Sequence, residues 1–368
     1  MKRIIVIISM FLILCGCGNK DNIVNKFIKK IEKSDSYKLS GTMEIVSNED
    51  TFSYNVLASK SKDGYYKVSL INKTNDHEQV ILKNKDGVYV VTPDLNKSFK
   101  FQSDWPNNGS QSYLLDILVN DVKNDDKVHI GRDNNNYIQC RVNYPNNNTL
   151  YSEKIYLNKN YDVEKVEVLD QDGNVKIKLK INNIDYKAKF NDDYFSLDSL
   201  VTDSDTKEKE ITTKKQENNK EETNVENKNE DTKENEGETQ NNNEDETNTG
   251  YILKDIIYPL YVPTNTHLKT EDTISTSDGN RAILTFSGDS PFVLIEEVSR
   301  PFDELEIIPV NGEPLIMGDT IGAISSNSLY WTSNGIDYYV SSNNLVSEEL
   351  MTIAEGLTGT SIIVSSEK

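Results

Sequence analysis

From Val175 to Ile181 the chain alternates strictly: Val175, Ile177, Leu179 and Ile181 are apolar, and Lys176, Lys178 and Lys180 stand between them. A period of two with one clean apolar side predicts a strand buried on one face, the habit of antiparallel sheets. The same rhythm predicts further strands at 37–47, 51–59, 64–72, 77–84, 87–92, 97–102, 136–144, 150–157 and 162–169. Asp63-Gly64, Asp86-Gly87 and Asp172-Gly173 fall between such runs, and Asp-Gly supplies the positive φ angles of tight hairpins. Ten or so hairpin strands in sequence make one large curled antiparallel sheet or a partly closed barrel.

The rhythm changes to a helical one twice before residue 200. "NIVNKFIKKIEKS" places Ile23, Phe27 and Ile31 on one stripe, and "SYLLDILVNDV" repeats Leu114, Ile117 and Leu118, with Ser110 or Ser112 as candidate cap. One helix before the sheet and one midway are expected to cover its concave side. Beyond residue 250 the pattern is mixed, predicting a small α+β domain over 251–368. "AILTFSGDSPFVLIEEV" reads as a hairpin around Gly288-Asp289-Ser290-Pro291, and Asn334-Gly335 divides two aromatic strands. A closing helix is expected with Ser347 as cap, Glu348 and Glu349 at its positive end, and an apolar stripe of Leu350, Ile353, Ala354 and Leu357.

Between these parts the patterning vanishes. Residues 201–250 hold 16 acidic and 7 basic side chains, a net of −9, with only Val201, Ile211 and Val225 apolar. Such a segment buries too little to offset its ordering entropy, so it is expected to be a disordered acidic linker. Cutting it is then expected to free two independently folded pieces, 18–200 and 251–368. The net charge of the whole chain, −20, argues against nucleic acid as a partner.

At the other end, Lys2 and Arg3 precede an uncharged stretch from Ile4 to Leu14 and then Cys15-Gly16-Cys17. This is the layout of an export signal, residues 1–17. As a helix the apolar stretch spans only about 16 Å, short of a bilayer core. Leu14-Cys15-Gly16-Cys17 resembles the lipobox of bacterial lipoproteins. That resemblance implies that Cys17 is acylated, becomes the new N-terminus and tethers an extracytoplasmic protein to the cell membrane. Cys140, the remaining thiol, shares a strand face with Ile138 and Val142 and reads as a small core hydrophobe.

Candidate chemistry is sparse. His77, His129 and His267 lie far apart, no glycine-rich phosphate loop or G-x-S-x-G elbow occurs, and "KNDD" and "FNDDYF" lack the alternating oxygen ligands of a calcium loop. No metal, cofactor or catalytic constellation is expected, and the chain reads as a non-enzyme. The sharper feature is the aromatic stretch at 91–118. Phe99 and Phe101 share a strand face, and Trp105-Pro106 opens a loop that leads through Tyr113 into the second helix. These four aromatics either cap the core where strand gives way to helix or line a rim for a partner or hydrophobic ligand.

The lipobox and "DGVYVVTPDLNKSFKFQSDWP…SYLLDIL" together resemble the LolA-like lipoprotein superfamily, most closely its GerS-like germination lipoproteins from spore-forming clostridia. The resemblance implies a curved, incompletely closed barrel with helices at its mouth. It also implies a binding protein of the spore envelope that supports a CwlD-like cell-wall amidase in making cortex muramic-δ-lactam. "YPLYVPTNTHL", "FVLIEE" and "YWTSNGIDYYVSSNNLVSEELMTIAEGL" resemble a small C-terminal domain of Firmicute lipoproteins and anti-sigma-factor-associated proteins. Barrel plus small domain is similar to RseB, which keeps open an envelope-stress or anti-sigma regulator. The superfamily's carriers keep open a lipid or lipoprotein carrier with an acyl-chain ligand.

Overall fold

The computed structural model describes residues 20–47, 50–200, 251–277 and 279–358. Cys17 and the linker at 201–250 lie outside the described residues.

Helix α1 (Lys20–Glu32) leads into a meander of six strands: β1 (Tyr37–Ser47), β2 (Asp50–Lys60), β3 (Tyr66–Asn72), β4 (Glu78–Asn84), β5 (Gly87–Thr92) and β6 (Lys97–Phe101). Helix α2 (Leu115–Asn124) then crosses to a second meander of β7 (His129–Arg132), β8 (Asn136–Arg141), β9 (Leu150–Leu157), β10 (Val163–Asp170) and β11 (Val175–Asp185). Antiparallel pairing of β11 with β1, Met43 opposite Leu179, joins the two meanders into one sheet. Among the described residues, strand β7 ends that sheet with no further neighbour, so the curl is open there. The expected incompletely closed barrel is present, with β7 as a strand the hydrophobic pattern did not signal.

Alternation explains which side faces in. Leu39, Met43 and Ile45 of β1 and Leu179 of β11 are buried on the concave face, together with Phe27 and Ile31 of α1 and Leu115, Leu118 and Val122 of α2. Each such aliphatic side chain contributes about 1.5–3 kcal/mol on full burial. Neither Ser110 nor Ser112 caps α2. The Leu115 N–H donates to the Tyr37 hydroxyl at 3.1 Å, and that hydroxyl donates to Asp116 at 2.8 Å. A tertiary partner has taken the local one's place, and Ser110 Oγ accepts instead from the Asn143 N–H at 2.8 Å. On the convex side, Phe195 and Leu200 cover Val80, Leu82, Tyr89 and Val91 of β4 and β5.

The C-terminal part forms a seven-stranded sheet from β12 (Thr266–Thr276), β13 (Gly279–Gly288), β14 (Phe292–Val298), β16 (Glu313–Met317), β17 (Thr320–Ile324), β18 (Ser328–Ser333) and β19 (Ile336–Ser341), in the order β12-β13-β14-β19-β18-β17-β16. Asn334 and Gly335, at φ +51 and +76°, turn β18 into β19 as their sequence predicts. Helix α3 (Ser347–Thr358) packs Leu350, Ile353, Ala354 and Leu357 into this part's core. Ser347 is its first helical residue, not its cap, and Glu349 Oε2 accepts the preceding Val346 N–H at 3.2 Å.

The two parts share structure. Strand β15 (Glu306–Val310), from the C-terminal segment, lies parallel to β6 and becomes the twelfth strand of the barrel sheet, with Ile308 opposite Phe99. The β16–β17 hairpin enters the barrel, where Ile321 and Ala323 are buried in the barrel's own core. Pairing and packing thus cross the expected boundary between 18–200 and 251–368. A parallel partner some 200 residues away leaves no local trace in the pattern of either strand.

Candidate functional site

Three sets of long-range contacts seat the C-terminal sheet on the barrel, the first two at its β16–β17 hairpin. Gln79 in β4 accepts the Ile321 N–H at 2.6 Å and donates to the Ile321 carbonyl at 3.4 Å. The Tyr54 hydroxyl donates to the Gly318 carbonyl. Lys97 Nζ, 3 % exposed, meets Asp337 Oδ2 at 2.5 Å and donates to the Tyr330 hydroxyl at 2.6 Å. A buried pair of this kind stands only where both charges are otherwise hydrogen-bonded, and Thr332 Oγ1 supplies Asp337 with a further donor at 2.5 Å.

Beside this seam lies a cavity of about 400 Å³, within the range of small-ligand sites. Met43 and Ile45 of β1, Ile177 of β11 and Met351 of α3 give it apolar walls. Opposite stand Gln111, Tyr113, Tyr144 and the loop Asn146–Leu150. Paired bonds between Ser110 and Asn143, 2.7 Å from the Ser110 N–H to the Asn143 carbonyl and 2.8 Å from the Asn143 N–H to Ser110 Oγ, tie that loop's base to the approach to α2. Lys176, Glu348 and Glu355 are the charged lining residues, and burial raises the Glu355 carboxyl above its ordinary range.

Behind Tyr144 sits a buried acidic cluster. Glu153 in β9 is fully buried and faces Cys140 in β8, whose thiol donates to Glu153 Oε1 at 3.5 Å. Burial, and then the charge of Asp121 in α2, push Glu153 well above the carboxylate range. Burial pushes Asp121 up to about 6. The Cys140 thiol is likewise driven up, by burial first and by Glu153 second, so it is no thiolate nucleophile. It packs with Ile138 as the sequence suggested. Among the described residues, Asp121 Oδ2 and Glu153 Oε2 are both buried here without a hydrogen-bond partner.

The four aromatics singled out in the sequence are all buried, at 6 % exposure for Phe99, 3 % for Phe101, 1 % for Trp105 and 3 % for Tyr113. Phe99 packs on Tyr330 of the C-terminal part, with ring centres 4.7 Å apart, and Trp105 meets Tyr66 edge-on at 5.9 Å. Phe101 lies in the same core. Of the four, Tyr113 alone lines the cavity, its hydroxyl donating to Gln111 at 2.5 Å. Core capping thus describes Phe99, Phe101 and Trp105. The junction residues Gln79, Lys97, Tyr330 and Asp337 were not singled out. A lysine and a glutamine on strands that are otherwise buried, "EQVIL" and "KSFKF", were the available signal.

The chain is 35% identical over 354 residues to sporulation protein YdcC of Bacillus subtilis (strain 168), covering 95% of this chain and 94% of that protein. Among solved structures it resembles the Pseudomonas aeruginosa MucA/MucB complex, at 10% identity and a TM-score of 0.31 over 91% of this chain and 98% of that one. It also resembles the LolA superfamily protein NE2245 from Nitrosomonas europaea, at 14% and 0.28 over 49% and 98%. A third likeness is to the CwlD amidase from Clostridioides difficile in complex with the GerS lipoprotein, at 17% and 0.27 over 47% and 96%. The family model for sporulation protein YdcC-like proteins matches residues 1–195, and the chain belongs to that family.

Proposed function

We propose that this chain is a non-enzymatic, membrane-anchored binding protein of the spore envelope. It supports a cell-wall amidase, an N-acetylmuramoyl-L-alanine amidase, in forming the muramic-δ-lactam of cortex peptidoglycan. Membership of a sporulation family carries the reading. The cavity between barrel and C-terminal sheet offers a place to grip a partner.

Deleting the gene in a spore-forming host and analysing cortex muropeptides tests this. Loss of muramic-δ-lactam with a germination defect is the expected result, and normal muropeptides with normal germination refute it. On the same reading Cys17 carries the acyl anchor. Cys17→Ala moves the protein from the membrane fraction to the soluble one, and unchanged fractionation overturns the anchor. The apolar walls at Met43, Ile45, Ile177 and Met351 favour one second reading, a lipid carrier. Mass spectrometry of the purified protein separates the two, because a carrier brings stoichiometric acyl ligand with it.

A further inference from the structure

Helix α1 carries charge of one sign on its outer face. At about 100° per residue, Lys26, Lys29 and Lys33 fall within roughly 60° of one another. They lie on the side away from Phe27 and Ile31, which are buried in the barrel core. Lys33 follows the last helical residue, but its N–H reaches the Lys29 carbonyl at 3.3 Å, so the turn continues through it. All three side chains are exposed.

The acids that flank this stripe are matched in place. Glu32 pairs with Lys123 of α2, and Asp162 pairs with Lys30. Asp35 lies beyond the helix, in the turn into β1. Lys26 donates to the Tyr161 hydroxyl at 3.1 Å and stands over its ring, contacts that leave its charge intact. Among the described residues, none of Lys26, Lys29 and Lys33 forms a salt bridge. Lys30 Nζ also donates to the Asn160 carbonyl at 3.0 Å, which sets the β9–β10 turn, with exposed Lys159, beside the helix. In a chain of 60 acidic and 40 basic residues, this face runs against the overall sign and complements an anionic surface.

Its place in the chain says which surface. Lys20 comes three residues after Cys17, and three residues reach at most about 11 Å. An acyl group on Cys17 therefore holds the start of α1 within about one Debye length of the lipid headgroups. The net charge of −20 does not forbid that contact, because charges farther off than about 8 Å are largely screened. We propose that the Lys26, Lys29 and Lys33 face of α1 rests on a lipid surface bearing anionic headgroups. The apolar face of the helix is occupied in the core, so the contact is with headgroups and involves no insertion. An acyl anchor sets distance from the membrane, and this face sets how the barrel stands on it. The inference rests on the acyl-anchor reading for its setting.

Vesicle flotation tests it, using the chain from residue 17 with Cys17→Ala, which keeps every described residue and lacks the signal segment and the acyl group. Binding is expected to vesicles of phosphatidylglycerol and phosphatidylcholine at about 1:3, to be absent with phosphatidylcholine alone, and to be lost in about 0.5 M salt. Each lysine at an anionic surface adds about fivefold, so Lys26→Gln/Lys29→Gln/Lys33→Gln is expected to bind at least about tenfold more weakly. No binding to the anionic vesicles overturns the proposal, as does equal binding by the triple variant. An equal loss in Lys73→Gln/Lys180→Gln/Lys269→Gln, exposed lysines elsewhere, overturns it too. Should the triple variant fail to fold, Lys29→Glu/Lys33→Glu, which spares the Tyr161 contact, decides: weaker binding supports the face and unchanged binding overturns it. The probe chain has no acyl group, so a failed anchor appears in cell fractionation alone and a failed face in flotation alone.

Discussion

Lys97 shows how much can rest on one side chain. It sits in β6 at 3 % exposure, and its partner Asp337 comes from β19. Removing one member of such a pair leaves the other charge buried and uncompensated, at a cost of about 3–5 kcal/mol. Lys97→Met is therefore expected to lower the urea midpoint sharply, and adding Asp337→Asn to that variant is expected to restore most of it. A double variant as unstable as the single one would show that the two charges are not coupled. Glu296 offers a pH-dependent counterpart. It is fully buried, accepts the Ile257 N–H at 3.0 Å, and burial pushes it from its ordinary 4.5 up to about 7. The folded state thus holds this proton more tightly than the unfolded chain does. Its contribution to stability is complete below about pH 4.5 and is lost as pH rises toward about 7. Glu296→Gln removes this proton from the window and is expected to flatten the fall by on the order of 1–3 kcal/mol. Asp121, also raised, to about 6, keeps part of the slope. Unfolding curves at several pH values between 4 and 8 check it, and an unchanged slope would place the linkage elsewhere.

At the scale of elements, what the chain declared locally it also built. The alternation from Val175 to Ile181 became β11, the stripe of Ile23, Phe27 and Ile31 became the inward side of α1, and Asn334-Gly335 turned where its φ preferences require. Each of these signals is a period or a turn chemistry contained within a dozen residues. The cap of α2 failed because capping needs only an acceptor of the right geometry. Tyr37 supplies it from 78 positions away, and neither Ser110 nor Ser112 fills that role. β15 escaped for a similar reason. "EIIPV" is short, carries a proline, and has none of its five residues buried, so only its parallel ladder to β6 makes it a strand. The cavity was least legible of all. Its walls come from β1, β11, the α2 approach, the 146–150 loop, β16 and α3, and no window of sequence contains two opposite sides of it. The aromatic stretch at 91–118 lies against the junction, and Phe99, Phe101 and Trp105 are buried there.

For the whole molecule, the seam between barrel and C-terminal sheet governs behaviour. It combines the five-residue parallel ladder of β15 with β6, the Gln79 clamp on Ile321, the Lys97–Asp337 pair and the burial of Ile321 and Ala323 in the barrel core. A linker makes this docking intramolecular, at an effective concentration in the millimolar range. Once it is cut, the seam alone must hold at whatever concentration the fragments have. Buried apolar side chains and a desolvated ion pair resist separation in a way that exposed charges do not. Limited proteolysis within 201–250 is therefore expected to give two fragments that still elute together at micromolar concentration and unfold in one transition, coming apart only in denaturant. The Lys97→Met variant, cut in the same way, is expected to separate at a lower denaturant concentration, since its seam has lost the pair while each core is intact. Fragments that elute apart immediately after cleavage, each still folded by circular dichroism, would mean that the shared sheet contributes little and that the tether alone keeps the two parts together.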